Sequence, residues 1–303
     1  MNEELKRKYL NRDRVVRALS KSGTIRIVVV KSTQTVLTAQ EKHTLDPLSA
    51  HLLGKVLSAA SLMASFLKGE ERIVIQTEGS GIMQNICAEA MQVGEVRGYV
   101  RLQKGVENPL DHIEHFHEAL GAGFLKVTKF RYNNYEPSTG IVELVRGDIT
   151  SDLALYLTQS EQIPSGVRLD ILHNDNGEII ESGGVLAQVM PGATDAEIEK
   201  LEMLMKELPH IGSLFQGHET PDDILKRVLP DGFDTISTTP LDFYCRCSLE
   251  RFKSVIQTLG IDEVRGMRNE GQNELLCQYC STKYYLSEND FDEMILVLEA
   301  ERN

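Results

Sequence analysis

Four of the chain's five cysteines lie in two short stretches near its end, FYCRCSLERF at 243–252 and LLCQYCST at 275–282. No other feature restricts the fold as strongly. Cys245 and Cys247 stand two positions apart, 29 residues follow, and Cys277 and Cys280 stand three apart. Two local pairs match a tetrahedral four-thiolate zinc site, and the C-x-x-C half is the usual zinc knuckle. The C-x-C half serves the same purpose, because residues i and i+2 of an extended chain point to one side. Residues 241–303 carry only short apolar patches (Val255, Ile256, Leu259, Ile261) and a terminal helical stretch, ENDFDEMILVLEA. A unit that small needs a metal or disulfides to fold. One zinc ion per chain on Cys245, Cys247, Cys277 and Cys280 is therefore expected.

A disulfide within the C-x-C pair is strained. Full extension sets the two Cα atoms ~6.6–7.2 Å apart, at or beyond the usual disulfide limit of ~6.8 Å. Strained disulfides are the labile, regulatory ones. Zinc and disulfide also exclude each other. Sulfurs around tetrahedral zinc sit roughly 3.8 Å apart, and a disulfide brings them to ~2.05 Å. Oxidation therefore expels the metal, with a loss of ~10–16 kcal/mol of folding free energy. Spacing alone leaves other readings open: a purely structural knuckle, a thiol-disulfide oxidoreductase or a zinc-ribbon nucleic-acid adaptor. The oxidoreductase would place its C-x-x-C at a helix start after a strand. The formal net charge of -13 argues against nucleic acid and anionic membrane as partners.

The rest of the chain reads as a globular α+β protein. Its 303 residues suffice for about two domains, and 41% hydrophobic with 25% charged residues excludes wholesale disorder. TIRIVVVKST (24–33) reads as a strand. Thr44 and Asp46 precede Pro47 and a long helical run that stops at Gly69. Antiparallel strands follow to Leu102, with more at 124–130 and 141–146 and a helix from Asp148 or Thr150. A hairpin turns at Asn174-Asp175-Asn176-Gly177, and Gly183-Gly184 suggests a bulge or a close backbone approach. Residues 193–235 read as two weakly held helices with a polar break, HIGSLFQGHET, between them. This stretch is acidic, with ten acidic against four basic residues between Asp195 and Asp234. The expected organisation is an α/β core domain with antiparallel sheets and a long helix (1–192), a helical linker (193–240) and a small four-cysteine zinc-binding domain (241–303). MNEELKRKYLNRDRVVRAL is not a signal peptide, and no apolar run reaches the ~20 residues that span a bilayer. A cytoplasmic setting follows, where thiols stay reduced.

The sequence resembles the heat shock protein 33 family of bacterial redox-regulated holdases. The resemblance rests on the spacing of the two cysteine pairs, on CQYCSTKYYL, on GGVLAQVMPG before the linker, on VRGYV at 96–100 and on HTLDPLSAHLLGKVLSAASLMASFLKG. It implies an ATP-independent chaperone, not an enzyme, that is inactive while reduced and zinc-bound. Oxidants would eject zinc, form two disulfides and destabilise the linker. The exposed surface would bind unfolded client proteins, and the active form would be a homodimer. Of the three pairings that four cysteines allow, loop-closure entropy favours the redox disulfides Cys245–Cys247 and Cys277–Cys280 once zinc has left, although C-x-C strain opposes the first.

Other candidates are weaker. His112, His115 and His117 resemble metal ligands but lack a completing carboxylate or cysteine pattern. Cys87 sits in a β pattern, where a buried free thiol acts as a small hydrophobe. TEGSGIM (77–83) lacks a phosphate-loop signature and reads as a turn.

Overall fold

The computed structural model describes residues 12–132 and 136–301. Residues 1–11, which hold most of the stretch read as not being a signal peptide, lie outside the described residues. The fold is mixed α+β with antiparallel sheets, in two compact units, one ending at Tyr244 and one beginning at Cys245. Among the described residues, no helix is long and apolar enough to cross a membrane.

The first unit holds two sheets. One contains β1 (Arg14–Ser20), β2 (Ile25–Lys31), β8 (Ser165–His173), β9 (Ile179–Val189) and β10 (Phe233–Pro240), in the order β10-β1-β2-β9-β8. The other contains β3 (Arg72–Gly79), β4 (Met83–Met91), β5 (Glu95–Leu102), β6 (Gly123–Phe130), β7 (Ser138–Glu143) and β11 (Asp242–Phe243), in the order β11-β5-β4-β3-β6-β7. Helix α1 (Thr33–His43) leads into α2 (Pro47–Ala64), which lies between the sheets and touches strands of both. Fifteen of its 18 residues are buried, as befits a helix that is apolar all round. Asp46 caps it, accepting from the N–H groups of Leu48 and Ser49, with Pro47 at the first position. Buried hydroxyls on this helix are satisfied: Ser58 and Ser61 donate to the carbonyls of Gly54 and Leu57. The helix ends at Ala64 rather than running to Gly69. A tight turn, with the Leu67 N–H on the Ala64 carbonyl, replaces its last stretch. Helix α3 (Ile149–Gln159) is capped by Asp148, which accepts from the Ser151 N–H.

The five-stranded sheet is buried on both faces. Val28, Val30, Gly184 and Leu186 face α2; Gly184 lies against Leu62 of that helix. Val16, Ala18, Ile25, Ile27, Val29, Val185 and Ala187 face the other way, into a cluster with side chains from residues 201–229. Those residues form three helices, where the sequence suggests two: α4 (Asp195–Glu207), α5 (Ile211–Gln216) and α6 (Pro221–Val228). The stretch read as a polar break contains α5, whose Ile211, Leu214 and Phe215 are buried. Capping boxes start α4 at Thr194 with Glu197, and α6 at Thr220 with Asp223.

Gly183 shows why α5 can sit there. The register of β9 against β2 and β8 runs unbroken through Gly183-Gly184, so there is no bulge at that point. A Cβ on Gly183 would lie 2.4 Å from the Phe215 ring and 2.4 Å from the Val30 carbonyl. The missing side chain is the seat of Phe215. Residues 193–240 thus belong to the first compact unit: three helices cover its sheet and β10 is its edge strand, paired with β1. Asp242 and Phe243 pair in parallel with Glu95 and Val96 of β5.

The second unit contains α7 (Leu249–Gln257), α8 (Ile261–Asn269), the hairpin β12 (Glu274–Leu276) and β13 (Lys283–Tyr285), and α9 (Glu288–Glu301). Its core cluster has five buried residues, Ile256, Val264, Leu286, Phe291 and Met294. Val255 and Leu259, read as part of an apolar patch, are exposed at 63% and 58%. Lys253 ties α7 to α9, donating to Asp290 (2.9 Å) and Glu293 (2.7 Å). Leu249, Met267, Leu275, Ile295 and Leu298 pack against it while only partly buried, which makes a small core for a unit of this size.

Candidate metal centre

The four C-terminal cysteines meet in the second unit. Cys245 and Cys247 come from the extended segment before α7, and Cys277 and Cys280 from the turn between β12 and β13. One sulfur from each residue lies within 4.8 Å of all the others. Across the two pairs, Cys245 and Cys277 are 3.7 Å apart and Cys247 and Cys280 are 3.4 Å apart. The turn is built by backbone bonds. The N–H groups of Cys280 and Ser281 donate to the Cys277 carbonyl, and the Cys277 N–H donates to the Thr282 carbonyl. Ser281 takes a left-handed conformation, φ 54°, to close it. This fold-back brings two thiols three positions apart onto one side.

Two polar side chains frame the sulfurs. The Tyr284 hydroxyl lies 3.2 Å from Cys247 Sγ and donates to the Cys247 carbonyl at 3.0 Å. Phe252 packs on the Tyr284 ring, with centroids 5.4 Å apart. Thr282 Oγ1 lies 3.3 Å from Cys280 Sγ. Burial pushes the thiols of Cys277 and Cys247 up. Burial acts the same way on Cys280, but hydrogen bonding to Thr282 and to the neighbouring thiols outweighs it and brings Cys280 down to about 7. Among protein atoms alone, ionisation is thus favoured at Cys280 and resisted at Cys277 and Cys247, first of all by burial. Four soft sulfur donors at these separations could hold a metal ion, and they match the roughly 3.8 Å spacing of a tetrahedral thiolate site.

The other candidates do not converge. His112, His115 and His117 are exposed, and the His115 and His117 rings stack on each other at 5.4 Å. Among the described residues, the four cysteines are the one cluster of three or more close His, Cys, Asp or Glu ligands. Cys87 is buried on β4, in the other unit from that cluster. Sequence reasoning missed Lys253 as the brace of the second unit and Phe215 as the residue that holds α5. Only the glycine pair hinted at the latter.

The model of the Hsp33 protein family matches residues 13–287. The chain belongs to the Hsp33 family. The 33 kDa chaperonin of Desulforamulus reducens is 37% identical over 297 residues, covering 95% of this chain and 98% of that protein. The protein of the same name from Streptococcus thermophilus is 35% identical over 291 residues, covering 93% and 99%. The crystal structure of the Thermotoga maritima 33 kDa chaperonin superposes with a TM-score of 0.83 at 29% identity, over 96% of this chain and 99% of that one. The Hsp33 match thus spans both units and includes both cysteine pairs.

Proposed function

We propose that this Hsp33 chain is a redox-regulated, ATP-independent holdase that keeps unfolding or oxidatively damaged proteins from aggregating in the cytoplasm. The observation that carries the reading is the gathering of four thiols in a unit with a small apolar core. Cys245, Cys247, Cys277 and Cys280 would hold one zinc ion in the reduced protein. Bound zinc would supply the positive charge that lets all four thiols ionise together, and with it much of the unit's folding free energy.

Oxidation then acts on the thiols themselves. One peroxide takes two electrons from each cysteine pair: the S–S bond forms as the peroxide O–O bond breaks, the two thiolates give up the metal, and solvent supplies the two protons that complete two waters. We assign the disulfides as Cys245–Cys247 and Cys277–Cys280. Sulfurs also lie close across the pairs in the folded unit, but pairing follows unfolding, when near neighbours meet far more often.

Three working parts are proposed: residues 1–192 bind clients, 193–240 switch, and 241–303 sense. The coupling is assigned to the chain running from Cys245 back through β11 and β10 to α6. Loosening of α4–α6 would uncover the sheet face of Val16, Ile25, Ile27, Val29 and Val185. A contiguous apolar patch of that kind is a protein-binding surface, and two such chains would associate when active.

The test is light scattering of a thermally unfolding reporter protein, with reduced zinc-loaded chain and with peroxide-treated chain. The oxidised form should suppress aggregation while about one equivalent of zinc per chain is released, and the reduced form should not. Equal suppression by both forms would reject the switch. Catalytic turnover in insulin reduction would instead support a thiol-disulfide oxidoreductase.

A further inference from the structure

A second feature, on the far side of the five-stranded sheet from α4–α6, has no part in the switch. Arg26, Lys68, Lys129 and Arg131 converge on a cleft of about 410 Å³ just beyond the C-terminal end of α2. Arg26 comes from one sheet and Lys129 from the other, so the cleft lies between them.

Both carboxylates that line the cleft are already engaged. Glu161 accepts from Lys129 Nζ and from the Tyr156 hydroxyl, each at 2.5 Å. Glu71 accepts from the backbone N–H groups of Lys68 (3.0 Å) and Tyr132 (3.3 Å). Among the described residues, no carboxylate lies within ion-pair distance of Arg26, of Lys68 Nζ or of Arg131.

Arg26 stands out. It is half-buried, its guanidinium donates only to the neutral Gln188 Oε1 (2.6 and 3.1 Å), and its carbon lies 4.0 Å over the Phe66 ring. Burial and the nearby Arg17 both work against its charge. Three other sheltered cations in this unit have carboxylates: Lys31 with Glu181, Lys55 with Asp148, Arg97 with Glu89. Arg17 has the carbonyl of Ser65, 2.6 Å away at the end of α2, where the helix carries partial negative charge. The cleft holds four cations against two engaged carboxylates, and in a chain of net charge -13 such a local excess of positive charge concentrates anions from solution. Guanidinium and ammonium groups from separate elements suit the several oxygens of a phosphate. Met63, Leu157 and Ile163 supply an apolar wall beside them.

We propose that this cleft binds a phosphate ester with an apolar body. The phosphate sits among Arg26, Lys68 and Arg131, and the apolar body lies against Met63, Leu157 and Ile163.

The test is calorimetric titration of the full chain at low ionic strength with naphthyl phosphate, inorganic phosphate and naphthol. Naphthyl phosphate should saturate one site per chain and bind more tightly than inorganic phosphate, and naphthol should not saturate. Arg26→Met should weaken the ester by about tenfold or more, as loss of a charged hydrogen-bond partner does. Lys42→Ser, an exposed change on α1, should leave binding unchanged. The unliganded Arg26→Met protein should melt no lower than wild type, since it loses a charge that burial disfavours; if it fails to fold, Arg131→Ser and Lys68→Ser carry the comparison. Absence of saturable binding up to millimolar ester would overturn the proposal. So would equal affinity in the Arg26 and Arg131 variants, or naphthol binding as tightly as its phosphate.

Discussion

Replacing Phe215 with alanine should turn the reduced protein into an active holdase. Phe215 is fully buried, seated on Gly183 and 4.8 Å from the Lys31 ammonium. It is the largest side chain that α5 places in the cluster, and α5 is only six residues long. A helix of that length has no stability of its own, so packing holds it. Truncating a buried phenylalanine costs ~3–5 kcal/mol. At ~1.4 kcal/mol per tenfold, opening of α4–α6 should become more frequent by about two to three and a half orders of magnitude. The assay is aggregation suppression by zinc-loaded Phe215→Ala under reductant, with amide exchange as control. Exchange should speed up across 195–228 while β2 and β9 stay protected. The reasoning fails if those helices exchange freely, the sheet stays intact, and the reduced variant still does not suppress aggregation.

Three further outcomes follow. Thr194→Ala and Thr220→Ala each remove a capping box from α4 or α6 and should weaken the helices by ~1 kcal/mol; the peroxide dose that gives half-maximal activity should fall in both. Burial first, then Lys55 and His173, hold His51 down at about 3, and its Nδ1 is buried without a partner. The folded value lies below the ordinary 6.5, so this stability is present above pH 6.5 and is lost as pH falls toward 3; thermal melts of His51→Leu should show a flatter acid limb. Asp13 runs the opposite way: burial outweighs its hydrogen bonds from Thr35 and raises it from 3.8 to about 6. Its stability is present below pH 3.8 and is lost as pH rises through 6, and melts of Asp13→Asn should lack that decline.

The cysteine cluster was legible because its geometry is local. Two cysteines two or three positions apart must share a side of the chain, and the sequence shows four such thiols beside little core. Helix α2 was legible for similar reasons: Asp46 and Pro47 mark its start, and apolar residues recur around its whole circumference. Its end was misplaced because Gly69, which does take φ 55°, closes a later turn. Helix α5 was hidden because HIGSLFQGHET reads as polar one residue at a time. Its burial depends on a glycine 32 positions earlier, Gly183, whose missing side chain makes room for Phe215. The Arg26 cleft was equally hidden, since its charges come from residues 26, 68, 129 and 131 and meet only when the two sheets close on α2.

The central claim is that oxidation at the four cysteines releases α4–α6 from the sheet. Amide hydrogen exchange across residues 195–229, before and after peroxide treatment of the zinc-loaded protein, tests it most directly. The account predicts that these amides lose protection on oxidation while β1, β2 and β9 keep theirs, in step with the appearance of aggregation suppression. Unchanged protection across 195–229 in a fully oxidised, active sample would contradict it and place the client surface elsewhere.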